Sequence, residues 1–181
     1  MIDKIAKLAG RVTRENIETI QKYTKLASQE GKKTIGVDIG TLGGQSAIAM
    51  ALAVDDIKVY TMDPIASPAI SEQIKKMGAE KKIQFYPMTS SEFTPLCPNQ
   101  IDICFVDGVH SYLGVKADIE NIGLKVRLGG YLLFHDCNLY FNTIKKAVEE
   151  NVDKYYEFIE EVGGTFTEKD KQGSIWVGRR I

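Results

Sequence analysis

The stretch TIGVDIGTLGGQSAIAMALAV, residues 34–54, decides the fold. It opens on a short β-branched run from Thr34 to Asp38, turns through Gly40, Gly43 and Gly44, and continues from Gln45 to Val54 with the apolar content of a buried helix. Strand, glycine turn and helix together form the opening unit of a parallel α/β sheet. Working outward, four more runs repeat the strand signal: KVYTMD (58–63), KIQFYPM (82–88), IDICFVD (101–107) and YLLFHD (131–136). Between them, helical spacing puts Ile70, Ile74 and Met77 on one face, then Val115, Ile119, Ile122 and Val126, then Ile144 and Val148. Pro95 and Pro98 leave room for little more than one turn between Ser90 and Gln100.

The two ends differ from this rhythm. YYEFIEE (155–161) and SIWVGRR (174–180), separated by a connector rich in glycine and charge, read as a hairpin on the sheet edge. Residues 1–33 read as a helical segment packed on the domain formed by 34–181, with Thr13 as N-cap, Ile17, Ile20 and Ala27 on one face, and Gly31 at its end. The expected architecture is therefore a single-domain, doubly wound α/β sheet.

With 181 residues, 44% of them hydrophobic, the chain can bury one sizeable core but not two. A net charge of -1 and a pI near 6.2 offer no basic surplus for nucleic acid, so a small neutral or metal-bound substrate is expected. The longest apolar run, Ala47 to Val54, is far short of the roughly 20 residues of a membrane span. Charges interrupt every apolar stretch near the N-terminus, so no secretion signal is expected, and Cys97, Cys104 and Cys137 show no CxxC spacing. A reducing, cytoplasmic compartment follows as the expectation, with homo-oligomerisation left open.

Ligands of such sheets sit outside the carboxyl ends of the strands. The residues there are DIGTLGGQS after the first strand, Asp63 after the second, Thr89 and Ser90 after the third, Asp107 and His110 after the fourth, and His135 and Asp136 after the fifth. The glycines let the backbone pass close under a ligand, and the following helix start offers free N–H groups to an anion. An acid about 20 residues beyond the glycine turn, here Asp63, is placed to take both hydroxyls of an adenosine ribose. In a dinucleotide fingerprint the second glycine admits the pyrophosphate, but here that position is Leu42. Asp38 at the base of the loop would repel a phosphate and suit an ammonium group. Two alternatives stay open: an NAD(P)-dependent oxidoreductase, disfavoured by Leu42, and a non-catalytic cofactor-binding module.

VDIGTLGGQSAIAMA (37–51) resembles the first motif of class I S-adenosylmethionine-dependent methyltransferases. IDICFVDGVHSYLGVKADIE (101–120), followed by LGGYLLFHD (128–136), resembles a small O-methyltransferase-like family carrying DGxHxY and a terminal HD pair. The resemblance runs from about Thr34 to the C-terminus and implies a seven-stranded Rossmann-like sheet, last strand antiparallel, with helices on both faces. It implies S-adenosylmethionine as cofactor and a small-molecule acceptor, methylated on oxygen by direct displacement. By the same resemblance Asp38, Gly40 and Gly44 line the methionine end, Asp63 holds the ribose, Ser90 lies near the adenine and Asp107 faces the cofactor. Leu42 departs from the family's usual glycine, and Arg127 from its usual proline.

Both histidines of the chain fall at strand ends beside aspartates. Asp107 and Asp136 offer hard oxygen donors suited to magnesium, calcium or manganese, and His135 tilts the set toward manganese or another transition ion. Metal-dependent catechol-type O-methyltransferases, which this segment also resembles, take ligands from the ends of the same two strands. That resemblance implies Mg2+ or Mn2+ at Asp107, His135 and Asp136, although the family usually supplies Asp or Asn from the fifth strand. It also implies that His110, three positions after Asp107, is the general base where the group often carries lysine. An imidazole suits proton removal near neutral pH. Cys137 reads as a small loop filler, since methyl transfer needs no thiol nucleophile.

Overall fold

The computed structural model describes residues 1–65, 68–138, 143–164 and 173–181. Two helices open the chain, α1 (Ile2–Ala6) and α2 (Arg14–Ala27). The alternating part follows as β1 (Thr34–Ile39), α3 (Gln45–Ala51), β2 (Ile57–Met62), α4 (Pro68–Lys76), β3 (Ile83–Tyr86), α5 (Ser90–Phe93), β4 (Ile101–Val106) and α6 (Tyr112–Asn121). A 3-10 turn (Gly123–Lys125) then leads to β5 (Val126–His135), α7 (Ile144–Val152), β6 (Tyr156–Gly163) and β7 (Ser174–Arg180).

The described strands form one seven-stranded sheet of order β3-β2-β1-β4-β5-β7-β6. β1 to β5 are parallel, while β7 runs antiparallel to both of its neighbours. The winding reverses at β1 and β4, so their carboxyl ends open a crevice between them. Successive residues of a strand face opposite sides, and β4 shows the result: Ile103 and Phe105 join one core, Cys104 and Val106 the other. The first core is covered by α1 to α4 and the second by α5 to α7, which is the two-sided cover expected of a doubly wound sheet. Among the described residues no helix is long and apolar enough to cross a membrane.

Thr13 caps α2 as expected, in a reciprocal box with Asn16, but the helix ends at Ala27 rather than near Gly31. The short segment after β3 is also as expected, a four-residue helix capped by Thr89 and Glu92. Val126 is different: it begins β5 instead of continuing the face of α6, which stops at Asn121. Gly123 turns the chain there, and Gly129, at φ +74, absorbs a register shift that disguises the first half of β5. The connector between β6 and β7 falls largely outside the described residues.

Candidate functional site at the carboxyl edge of the sheet

Two cavities meet at the crevice. One, of about 360 Å3, has apolar walls from Ile39, Met62, Met88, Val109 and Ala117, with Asp63 at one side and Ser90 and Asp118 at another. The second, of about 390 Å3, is lined by Arg11, His110, His135 and Asp136. Gly40, Asp63, Asp107 and Gly108 border both.

Gly40 is the floor. Its φ is +88, and a Cβ there would lie 2.0 Å from the carbonyl oxygen of Asp107, so only glycine lets β1 and β4 end side by side. Gly44 also has a positive φ, +87, but borders neither cavity, because its open side faces Ile70. It caps α3 and does not reach the place expected of it. Leu42 occupies the left-handed region at φ +42, and its N–H donates to Asp63 Oδ2 at 3.0 Å. Asp63 Oδ1 accepts from Ile65 N at 2.9 Å. Each carboxylate oxygen keeps a further lone pair, so Asp63 is held in place and still able to accept from a ligand.

Asp38 is not where the loop reading puts it. It is fully buried, and Oδ2 accepts from Thr61 Oγ1 at 2.5 Å while Oδ1 has no hydrogen-bond partner. β2 brings Thr61 beside it through the register Asp38 to Thr61. Burial pushes the Asp38 carboxyl up to about 6, against the opposing pull of the nearby Ser46 and Thr61 hydroxyls. A carboxyl raised on folding contributes stability that is present below pH 4 and lost as pH rises through about 6. Asp38→Asn removes the charge at nearly constant shape. It is expected to stabilise the protein by roughly 1 to 3 kcal/mol at pH 7.5 and by little near pH 4. Thermal melts at both values check this; destabilisation at both would show that the ionised carboxylate is needed for the fold.

Ser90 does reach the first cavity, but its hydroxyl donates to Asp118 Oδ1 at 2.5 Å. Asp118 is 6% exposed, and burial pushes its carboxyl up to about 6 in spite of that hydrogen bond. The sequence shows it only as one more residue of a helix.

The acids and histidines converge. His110 Nε2 lies 3.4 Å from Asp107 Oδ1 and 3.6 Å from Asp136 Oδ2. Asp136 has φ +58, a left-handed turn that aspartate tolerates, directly after β5. His135 sits deeper, only 4% exposed, with Nδ1 3.2 Å from Asp107 Oδ1 and 3.4 Å from Asp136 Oδ1. Its Nε2 is 3.2 Å from Asn16 Oδ1. That oxygen already accepts from the backbone and hydroxyl of Thr13, so Nε2 is the donor. Ligand atoms of Asp107, His110 and Asp136 lie within 4.8 Å of one another. His110 joins the two carboxylates in that set, while His135 meets the same carboxylates through Nδ1 and is held from behind by Asn16 through Nε2.

Charge in the cluster is uneven. Burial would raise Asp107, but hydrogen bonds from His110 and His135 outweigh it and hold the carboxyl below its ordinary value. Burial raises Asp136, and the neighbouring histidine charges offset this only in part. Burial works against the His135 imidazolium, yet Asp107 and Asp136 together raise its pKa. Burial also pushes the Cys137 thiol up to about 12, in keeping with a filler role.

The N-terminal segment covers the glycine loop. Gln45 accepts from Val12 N at 3.0 Å and donates to Ile5 O at 3.1 Å, and Gln73 bridges Ala9 to Gly43. Arg11 is thereby placed at the wall of the second cavity. Neither Arg11, Asn16 nor Asp118 stands out in the sequence; only the Thr13 to Asn16 cap spacing hints at the second. One Tyr-x-x-x-Lys spacing, the pair an oxidoreductase of this architecture would use, does occur, at Tyr112 and Lys116. Tyr112 donates to Glu150 at 2.7 Å and Lys116 pairs with Glu120 at 3.6 Å; neither residue borders the cavities.

A family model described as a methyltransferase domain matches residues 37–137, from inside β1 to just beyond β5. The chain belongs to that family. The matched span contains Asp38, Asp63, Ser90, Asp107, His110, His135 and Asp136. An uncharacterized protein of Acanthamoeba polyphaga mimivirus is 31% identical over 114 residues, 58% of this chain and 52% of that one. The chain thus spans about half the length of the curated relative it matches. Among solved structures, the O-methyltransferase TomG of Streptomyces achromogenes, involved in tomaymycin synthesis and crystallised with S-adenosylmethionine, superposes with a TM-score of 0.74. It is 14% identical, with 99% of this chain and 89% of that chain covered. An rRNA methylase of Streptococcus thermophilus gives a TM-score of 0.70 at 14% identity, over 96% of this chain and 99% of that one. Likeness at that identity establishes the methyltransferase sheet.

Proposed function

We propose that the protein transfers the methyl group of S-adenosylmethionine to an oxygen of a small acceptor, with His110 as general base. The observation that carries the reading is the pair of cavities joined through Gly40, Asp63, Asp107 and Gly108, one apolar and one polar. The apolar cavity fits an adenosine, with Asp63 accepting from the ribose hydroxyls. Arg11 supplies a guanidinium matched to the carboxylate of the methionine tail. When bound, the cofactor supplies an electrophilic sulfonium methyl. The polar cavity then holds the acceptor, where His110, positioned by Asp107 and Asp136, removes the hydroxyl proton. What remains is in-line geometry, which the rigid strand ends impose. Family membership and solved relatives bound to S-adenosylmethionine or its demethylated product support the cofactor. The 390 Å3 of the polar cavity and the net charge of -1 support a small acceptor over a nucleic acid.

The convergence of Asp107, His110 and Asp136 favours a second reading, in which these residues hold a divalent ion. Two carboxylates and one imidazole suit Mg2+ or Mn2+, which would lower the acceptor hydroxyl's pKa. His110 would then be a ligand and not a base.

Calorimetric titration tests the cofactor assignment. S-adenosylhomocysteine is expected to bind with a 1:1 stoichiometry, and NAD at least about 100-fold more weakly, a difference of roughly 2.7 kcal/mol. Equal or tighter binding of NAD would overturn the reading.

A further inference from the structure

We infer that Asp118 is the residue that selects adenine, reading the exocyclic amine through its Oδ2, and that Ser90 positions it. The inference rests on the first cavity being the adenosine site.

The resemblance to known methyltransferases places Ser90 near the adenine, but the Ser90 hydroxyl is a donor already committed to Asp118 Oδ1 at 2.5 Å. Asp118 Oδ2 has no such commitment. Among the described residues no hydrogen bond is made to it, and it is not among the buried side-chain atoms without a partner, so it is an accessible acceptor on a residue that lines the cavity. Gly108, which borders the same cavity, lies so close that a Cβ there would be 3.0 Å from Oδ2, so this oxygen sits beside the Gly108 backbone at the cavity. The remaining walls are apolar: Ile39, Met62, Met88, Val109 and Ala117. A carboxylate oxygen at the rim of an apolar slot is costly unless a donor meets it. The burial that pushes Asp118 up to about 6 records that cost.

The geometry of the ligand fits the vacancy in hydrogen bonding. Asp63 and Asp118 border the same cavity, one at the end of β2 and the other on α6. With the ribose hydroxyls at Asp63, the base extends into the apolar part, and methionine side chains suit its faces. An exocyclic amine presents N–H to Oδ2. A hypoxanthine presents a carbonyl oxygen instead, which would face a carboxylate and be repelled. Recognition by a buried acceptor gives strong discrimination for this reason: the wrong base leaves both groups unpaired.

The test compares S-adenosylhomocysteine with S-inosylhomocysteine and with the N6,N6-dimethyl analogue of S-adenosylhomocysteine, titrated calorimetrically into the full chain. The wild-type protein is expected to bind both analogues roughly 10- to 100-fold more weakly than S-adenosylhomocysteine, the loss of a hydrogen bond to a charged acceptor. In Asp118→Asn the amide can turn its NH2 toward the ligand, so the preference over S-inosylhomocysteine is expected to disappear or reverse. Ser90→Ala is expected to reduce the preference without abolishing S-adenosylhomocysteine binding. Equal affinity of the wild-type protein for the adenine and hypoxanthine compounds overturns the inference while leaving the cofactor assignment intact, as does an Asp118→Asn protein that keeps the full preference. Failure of all three compounds to bind overturns the cofactor assignment and the inference together. The wild-type comparison stands even where a variant does not fold.

Discussion

Gly40→Ala is expected to destabilise the fold by roughly 2 to 5 kcal/mol and to abolish binding in the crevice. Two costs add. The left-handed backbone at φ +88 disfavours any side chain by about 1 to 2 kcal/mol. The new Cβ would also lie 2.0 Å from the Asp107 carbonyl oxygen, a backbone atom that cannot swing aside. Relief requires the ends of β1 and β4 to separate, breaking the bond from Asp107 N to Ile39 O at 2.8 Å and displacing Asp107 from the histidines. Gly31→Ala provides the control, since Gly31 has φ +72 but nothing within 4 Å of its added Cβ. It carries the backbone strain alone and is expected to lower the melting temperature by about 2 to 8 °C, against about 5 to 20 °C for Gly40→Ala. Equal shifts would mean that the close approach of β1 to β4 is not what requires the glycine.

His110→Ala is expected to lower turnover by about 100-fold to 10,000-fold, the usual contribution of a general base. Affinity for S-adenosylhomocysteine and melting temperature should change little, because His110 is part-exposed and lines the polar cavity rather than the apolar one proposed for the adenosine. The measurement needs turnover, affinity and melting temperature on the same sample. A stable variant with undiminished turnover would remove His110 from the chemistry. Chelation separates the two readings of the cluster. With His110 as base, a chelator leaves turnover intact. With an ion held by Asp107, His110 and Asp136, it abolishes turnover, and added Mn2+ or Mg2+ restores it.

The sheet was legible because its central strands, β1, β4 and the second half of β5, are buried on both faces, so β-branched runs such as 101–106 stand out from the helical periods between them. The polar strand ends pointed to the crevice together: any one of Asp63, Asp107 and Asp136 could be a turn or cap former, but all three fall at one edge of the sheet. Which atoms face the crevice was not legible. Asp38 carries the chemistry of a ligand residue, but its burial depends on Thr61 of the adjacent strand, a pairing set by register and not by local sequence. The two histidines differ through Asn16, a helix-capping residue 119 positions from His135, which holds the His135 ring from behind while His110 stays part-exposed at the same cavity. Asp118 was hidden by its helix. Its distinction is a single hydrogen bond from Ser90, 28 residues earlier, which leaves one oxygen open to the cavity.

On the proposed reading one crevice, floored by Gly40 and walled by Asp63 and Asp107, holds the cofactor with its sulfur turned toward His110. A crystal structure with S-adenosylhomocysteine tests it most directly. Ribose hydroxyls are expected within hydrogen-bond distance of Asp63, the base between Met88 and Val109, and the sulfur facing the cavity of His110 and Asp136. Density for the nucleoside anywhere but the carboxyl ends of β1, β2 and β4, or a sulfur pointing away from that cavity, would contradict it.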